Sequence, residues 1–207
     1  MELSSRKILL LFAHPSLDRS QINRKLFEAS QEIEGVTCVD LYYEYPRYHI
    51  DVDREQQRLR EHEVVIFMFP LYWYSTPSIL KEWQDLVLEY GFAYGANGWA
   101  LQGKLFLCAL TAGAPESAFR AGGENHYRIE ELLRPIEQMA VTCRMQYLPP
   151  FALFDAIGSA QSNRIQQHVR QWQAVLRGLR EHRFELSEMQ AGFKLNDIVR
   201  QPMDPEG

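Results

Sequence analysis

The sequence predicts a doubly wound α/β domain, in which a five-stranded parallel sheet carries helices on both faces. Three short runs, residues 8–12, 64–69 and 105–110, are continuously apolar, as strands buried on both sides are. Segments with helical spacing separate them, and such alternation favours crossovers within one parallel sheet. Each run also stops abruptly, at His14-Pro15, at Pro70 and at Thr111-Ala112-Gly113. Ligands of open parallel sheets collect outside the carboxyl ends of the strands, so these endings are where function is sought.

After the first strand and a polar loop, Ser20 can cap a helix reaching about residue 33, with Ile22, Leu26, Ala29 and Ile33 on one face and Gly35 just past its end. Residues 36–42 read as the second strand and 53–62 as a charged, solvated helix. Pro77 opens the helix after the third strand, which continues through Leu80, Trp83, Val87 and Tyr90 to Gly91. An aromatic loop, 91–103, precedes the fourth strand. Residues 129–144 have helical period, with Pro135 as a kink or a start, and 146–153 read as the fifth strand. A last amphipathic helix spans 159–183. One domain is expected over 1–183, followed by a C-terminal extension, 184–207, mobile or packed at the surface.

Composition narrows the function. Of 207 residues, 46% are hydrophobic, as in a globular chain, and 22 basic against 27 acidic side chains give −5, which opposes nucleic-acid binding and general affinity for anionic lipid. Cys38, Cys108 and Cys143 form no C-x-x-C, so neither a disulfide framework nor a zinc knuckle is expected, and a reducing, cytoplasmic compartment fits. No His/Cys/Asp/Glu group has metal-ligand spacing. No apolar stretch approaches the roughly 20 residues that span a bilayer, so contact with the inner membrane would go through a partner.

The three strand endings carry complementary chemistry. After strand one, His14, Ser20, Ile22 and Asn23 bring polar side chains and free backbone N–H groups to a helix start, an arrangement suited to phosphate. Neither G-x-G-x-x-G nor a P-loop is present. After strand three, Pro70, Leu71, Tyr72, Trp73 and Tyr74 place consecutive aromatics at a turn, where a flat ring can pack. After strand four, Thr111, Ala112, Gly113, Ala114 and Ser117 supply small residues whose backbone amides a ligand can approach closely. Together the three point to a flavin mononucleotide site.

His14-Pro15, Ser20-x-x-Asn23 and the run from Pro70-Leu71-Tyr72-Trp73-Tyr74-Ser75 through Pro77, Leu80-Lys81 and Trp83 resemble the flavodoxin-like NAD(P)H:quinone oxidoreductase family. Gly91-Phe92-Ala93-Tyr94-Gly95, Gly103-Lys104 and Leu133-Arg134-Pro135 extend the likeness. Leu41-Tyr42, Tyr45-Pro46, Ile50-Asp51, Arg60-Glu61-His62-Glu63-Val64 and Cys143-Arg144-Met145 look like the ancillary oxidoreductases of glutathione-gated potassium-efflux antiporters. The likeness covers roughly residues 7–154. It implies strand order 2-1-3-4-5, FMN rather than FAD, NAD(P)H as donor and two-electron ping-pong reduction of quinone-type acceptors. It also implies a homodimer and, as an alternative role, a regulatory subunit of such an antiporter. By the same resemblance, His126 lies near the flavin ring as a catalytic group, and Tyr94 closes the pocket from the neighbouring subunit. Two departures stand out: Thr111-Ala112-Gly113-Ala114 replaces the frequent Thr-Thr-Gly-Gly, and Phe119-Arg120 stand where the family often has a tyrosine.

Overall fold

The computed structural model describes residues 4–20, 22–156 and 162–199. Strands β1 (Ile8–Phe12), β2 (Val36–Asp40), β3 (Val64–Pro70), β4 (Leu105–Thr111), β5 (Gln146–Tyr147) and β6 (Phe151–Leu153) form one parallel sheet in the order β2-β1-β3-β4, with β5 and β6 both paired to β4. The helices are α1 (Ile22–Gln31), α2 (Leu41–Glu44), α3 (Val52–Glu61), α4 (Ser78–Val87), α5 (Ile129–Leu132), α6 (Arg134–Thr142), α7 (Ser162–Arg180) and α8 (Leu186–Ala191). Doubly wound architecture and strand order agree with the sequence reading.

Period-two alternation explains why the central strands are apolar throughout: each feeds two cores. Leu9, Leu11, Val65, Phe67, Phe106 and Cys108 face α3, α4 and α6, meeting Leu59, Trp83 and Ile136. Ile8, Leu10, Ile66, Met68, Leu105 and Leu107 face α1 and α7, meeting Leu26, Phe27, Trp172 and Leu176. Burying such large side chains stabilises the fold by about 1.5–3 kcal/mol each, so both layers pin the strand register.

The structure redraws several boundaries. The second strand ends at Asp40 instead of 42, because the Asp40 carboxylate accepts from the N–H groups of Tyr42 and Tyr43 and caps α2. The fifth strand, read as one element, is two. Pro149-Pro150 cannot donate to the ladder, which slips by one residue between Leu105 opposite Gln146 and Ala109 opposite Phe151. Residues 129–144 divide into α5 and α6 around Leu133, with Pro135 in the first turn of α6.

The charged helix is not simply a solvated face. Glu55 of α3 is 0% exposed and accepts from Tyr45 Oη (2.6 Å), Trp83 Nε1 (2.9 Å) and Arg58 Nη1 (2.5 Å). A buried carboxylate needs such partners, and this one ties α3 to α4. Residues 157–161, at the start of the predicted last helix, lie outside the described residues, as do 200–207. Part of the extension is folded: α8 and a turn at Leu195–Asp197 bury Met189 and Leu195 in the second core.

Candidate functional site

The ladder runs past the strand ends and fixes where each loop begins. Ala13 N–H donates to Met68 O (2.9 Å), Leu71 N–H to Thr111 O (2.8 Å) and Ala112 N–H to Leu153 O (2.8 Å). Adjacent loops therefore leave one edge side by side.

On the β1 side the polar groups are already partnered. Ser20 Oγ accepts from Asn23 N–H (3.2 Å) and caps α1, as its position implied. Buried Asn23 donates through Nδ2 to Thr111 Oγ1 (2.9 Å), tying the start of α1 to the end of β4. The Ile22 side chain belongs to the second core, which leaves only its backbone for a ligand. His14 is buried; its Nδ1 accepts from Ser16 N–H (3.1 Å), and its ring meets the edge of Tyr72 with centroids 6.1 Å apart. Desolvation by burial lowers its pKa, against a weaker opposing pull from Asp18. The ring is accordingly neutral at pH 7, with its proton on Nε2.

The β3 loop is built differently. Tyr72 and Ser75 exchange backbone hydrogen bonds (3.2 and 3.0 Å) across a tight turn whose central residues, Trp73 (φ 49°) and Tyr74 (φ 62°), are both left-handed. Aromatic residues in that conformation store about 1–3 kcal/mol each, which persists only where the surroundings enforce it. Here the cross-turn bonds do so, together with Tyr74 Oη donating to Asn125 Oδ1 (3.0 Å). Trp73 is left 93% exposed.

Opposite this turn, Ala112 is buried while Gly113 is exposed. The Ala112 and Ala114 carbonyls accept from Ala156 (3.0 Å) and Asp155 (2.8 Å), which anchors the loop to the chain after β6. Between the two loops lies a cleft of about 220 Å³ lined by Leu71, Trp73, Tyr74, the Ala112–Gly113–Ala114 segment, Phe119 and Asn125.

Most predicted site residues thus meet at one edge. Pro70 ends β3, Thr111 sits beneath the cleft bonded to Asn23, and Tyr72 covers His14. Exposed His126 (φ 60°) follows Asn125, and Ser117 is exposed on the turn at Glu116–Ala118. Tyr94 lies elsewhere within the chain. It lines a groove of about 440 Å³ between α4 and α6, with Thr76, Lys81 and Met139 among its walls. Phe119 and Asn125 were missed as lining residues; a polar side chain beside a predicted catalytic histidine was the available signal for Asn125. The thiols of Cys38 and Cys143 are pushed up by burial, to about 12 and about 11, and that of Cys108 is raised further, so none is a ready nucleophile. Among the described residues, no group of three or more His, Cys, Asp or Glu could hold a metal, and no helix is long and apolar enough to cross a membrane.

Comparison with known proteins follows the same outline. Residues 6–176 match the model of a family described as having a flavodoxin-like fold. The glutathione-regulated potassium-efflux system ancillary protein KefG of Serratia proteamaculans is 50% identical over 148 residues, 72% of this chain and 81% of that one. The crystal structure of general stress protein 14 from Treponema denticola in complex with FMN superposes with TM-score 0.80 at 36% identity, covering 84% of this chain and 99% of that one. An NADPH-quinone reductase from P. pentosaceus superposes with TM-score 0.73 at 32% identity, covering 82% and 96%.

Proposed function

This chain belongs to the flavodoxin-like NAD(P)H:quinone reductase family, and from that premise we propose that it is an FMN-dependent oxidoreductase that passes a hydride from NAD(P)H to a quinone-type acceptor in two half-reactions. One observation carries the reading: a left-handed aromatic turn and an amide-rich loop line one cleft, and the Asn23–Thr111 bond ties the amino end of α1 to the strand end from which that loop leaves. The residues fit the cofactor. A flat ring matches the slot that Leu71, Trp73 and Tyr74 form with Ala112, Gly113 and Ala114. The amino end of α1, ten residues long and capped by Ser20, favours a phosphate through its N–H groups and dipole. FAD is the less favoured cofactor.

Bound FMN supplies the hydride acceptor and donor. The chain supplies binding and orientation. Neutral His14 offers its Nε2 proton beside Tyr72, Gly113 lets its amide approach a ligand closely, and Trp73 and Tyr74 shield one side of the slot from water. In this reading His126 holds a proton for the oxygen of the acceptor, at the open rim where a second substrate can enter. Donor and acceptor use the same rim in turn, which gives ping-pong kinetics. The test is a purified preparation assayed for NAD(P)H oxidation with and without a soluble quinone. Parallel lines in a double-reciprocal plot are expected, and no quinone-dependent oxidation would overturn the assignment.

We also read the chain as a homodimer. Tyr94 lines the α4–α6 groove with exposed Tyr90 against its ring, and Trp99 stands exposed a few residues on, apolar surface that a second copy would cover while bringing Tyr94 toward the partner's cleft. An active, flavin-loaded monomer in sedimentation would contradict this.

A second reading rests on the 50% identity to KefG: the chain is an ancillary subunit of a potassium-efflux antiporter, cytoplasmic and held at the inner membrane by that partner. Co-expression with the antiporter encoded nearest its gene separates the roles. Raised potassium efflux that survives loss of flavin binding favours the regulatory role over the enzymatic one.

A further inference from the structure

The family match ends at residue 176, yet residues 184–199 pack against the sheet edge formed by β6. Phe184 lies so close over Gly178 of α7 that any side chain there would collide with its ring, 2.1 Å from the position of an added Cβ. Met189 and Leu195 are buried in the second core, and Leu195 N–H donates to Pro150 O (3.0 Å).

Two further contacts act on the site loop itself. Asn196 accepts at Oδ1 from Ala152 N–H (2.9 Å) and donates through Nδ2 to Ala152 O (3.1 Å), so its amide occupies the free edge of β6 as a neighbouring strand would. The opposite edge of β6 and the residues after it hold Ala112 and Ala114. Lys194 ion-pairs with Glu116, on the loop after β4, and its Nζ lies 5.5 Å from the ring centre of Phe154. Phe154 in turn packs on Phe119, a wall of the cleft, with centroids 5.3 Å apart.

We propose that residues 184–199 form a strap that sets the geometry of the 112–119 loop, with Asn196 and Lys194 as positioning residues acting through β6, Phe154 and Phe119. The functional half of the proposal rests on the cleft being the flavin site; the structural half does not. The strap replaces the strand that would otherwise be needed beyond β6, and it fixes the loop whose amides face the ligand. Loss of either contact therefore loosens the loop while both cores remain intact.

The experiment is amide hydrogen exchange on the full chain without flavin, comparing wild type with Asn196→Ala and with Lys194→Met, which removes the ammonium that pairs with Glu116 and lies over Phe154. Opening free energies are local, so exchange should rise about tenfold in 112–119 and 151–156 and stay unchanged in β1 and α1. Exchange at the wild-type rate in that loop overturns the strap. So does an increase spread evenly over the sheet, which would mean general destabilisation. Should Asn196→Ala fail to fold, Lys194→Met alone decides. Flavin titration and steady-state assay then test the functional half: weaker flavin binding and a raised KM for the acceptor, with a smaller change in kcat, are expected for the variants, and unchanged flavin affinity and KM overturn it. Wild-type protein that takes up no flavin would remove the cofactor reading and leave the exchange result standing.

Discussion

The loops after β1 and β3 leave the same sheet edge and meet where the ring of Tyr72 packs on His14, yet they are held in opposite ways. On the β1 side the polar atoms are spent within the chain: Asn23 on Thr111, Ser20 on Asn23, His14 on Ser16. On the β3 side Trp73 stands exposed in a strained conformation, fixed by backbone bonds and by Tyr74 on Asn125. The first loop is part of the folded core and is in place before a ligand arrives. The second holds apolar surface in readiness for something to cover it. Substitutions on the β1 side should therefore cost stability and binding together, whereas those on the β3 side should cost binding alone.

The largest effect is expected for Ser20→Ala combined with Asn23→Ala. Flavin affinity should fall by about 0.5–2 kcal/mol, since the Ser20 cap and the Asn23–Thr111 bond hold in place the amino end of α1 whose N–H groups would face the phosphate. Buried Thr111 would also lose its partner, so denaturant unfolding should show a stability loss of about 1–3 kcal/mol. A double variant with wild-type stability and flavin retention would erase the distinction between the loops.

Next comes His126→Gln, an exposed residue beside cleft-lining Asn125 whose side chain takes no part in the bonds that hold either loop. At equal flavin occupancy and saturating quinone, turnover should slow about tenfold to a hundredfold, with no change in melting temperature. Full activity would return His126 to an ordinary surface role.

Acid sharpens the comparison, because only the β1 loop of the two contains a histidine that burial keeps neutral. The lowered pKa of His14 means that the unfolded chain binds more protons below about pH 6.5. Its contribution to stability is complete above that pH and is lost as pH falls toward the folded value. His168, pushed down to about 3 by burial, adds a wider loss of the same sign. The effect of His14 is thus the difference between wild type and His14→Gln, read from urea midpoints between pH 7 and 5. Parallel pH curves would contradict it.

Only a small stability change is expected for Trp73→Gly. Relief of the left-handed strain offsets the entropy of glycine, so stability should move by less than about 1 kcal/mol. Flavin affinity should nevertheless weaken measurably in a fluorescence titration. A stability loss as large as that of the Ser20 and Asn23 pair would show that the turn belongs to the core after all.

Much of this was legible in the sequence for identifiable reasons. Strands β1, β3 and β4 are buried on both faces, and that leaves unbroken apolar runs. The endings at Pro70 and Thr111-Ala112-Gly113 marked the two loops that line the cleft, and His14-Pro15 marked the neighbouring loop at the same sheet edge. Single side chains that reverse the trend of their segment were harder to see. Glu55 points inward from a helix rich in charge, and only the placement of Tyr45 and Trp83 across the chain reveals why. Pro149-Pro150 was a visible interruption, but an apolar flank on each side read as one strand. The fold of the extension depends on Leu186, Met189 and Leu195 finding a core already formed, which local pattern does not disclose.

The central claim is that the strand-end cleft holds one FMN per chain. Its most direct test is the visible spectrum of the protein purified without added cofactor, followed by release, identification and quantitation of any flavin, and by titration of the stripped protein with FMN. The account predicts the absorption of an oxidised flavin, FMN as the released species at one per chain, and saturable uptake weakened by Trp73→Gly and by the Ser20 and Asn23 pair. A colourless protein that takes up no FMN, or uptake indifferent to all three substitutions, would contradict it.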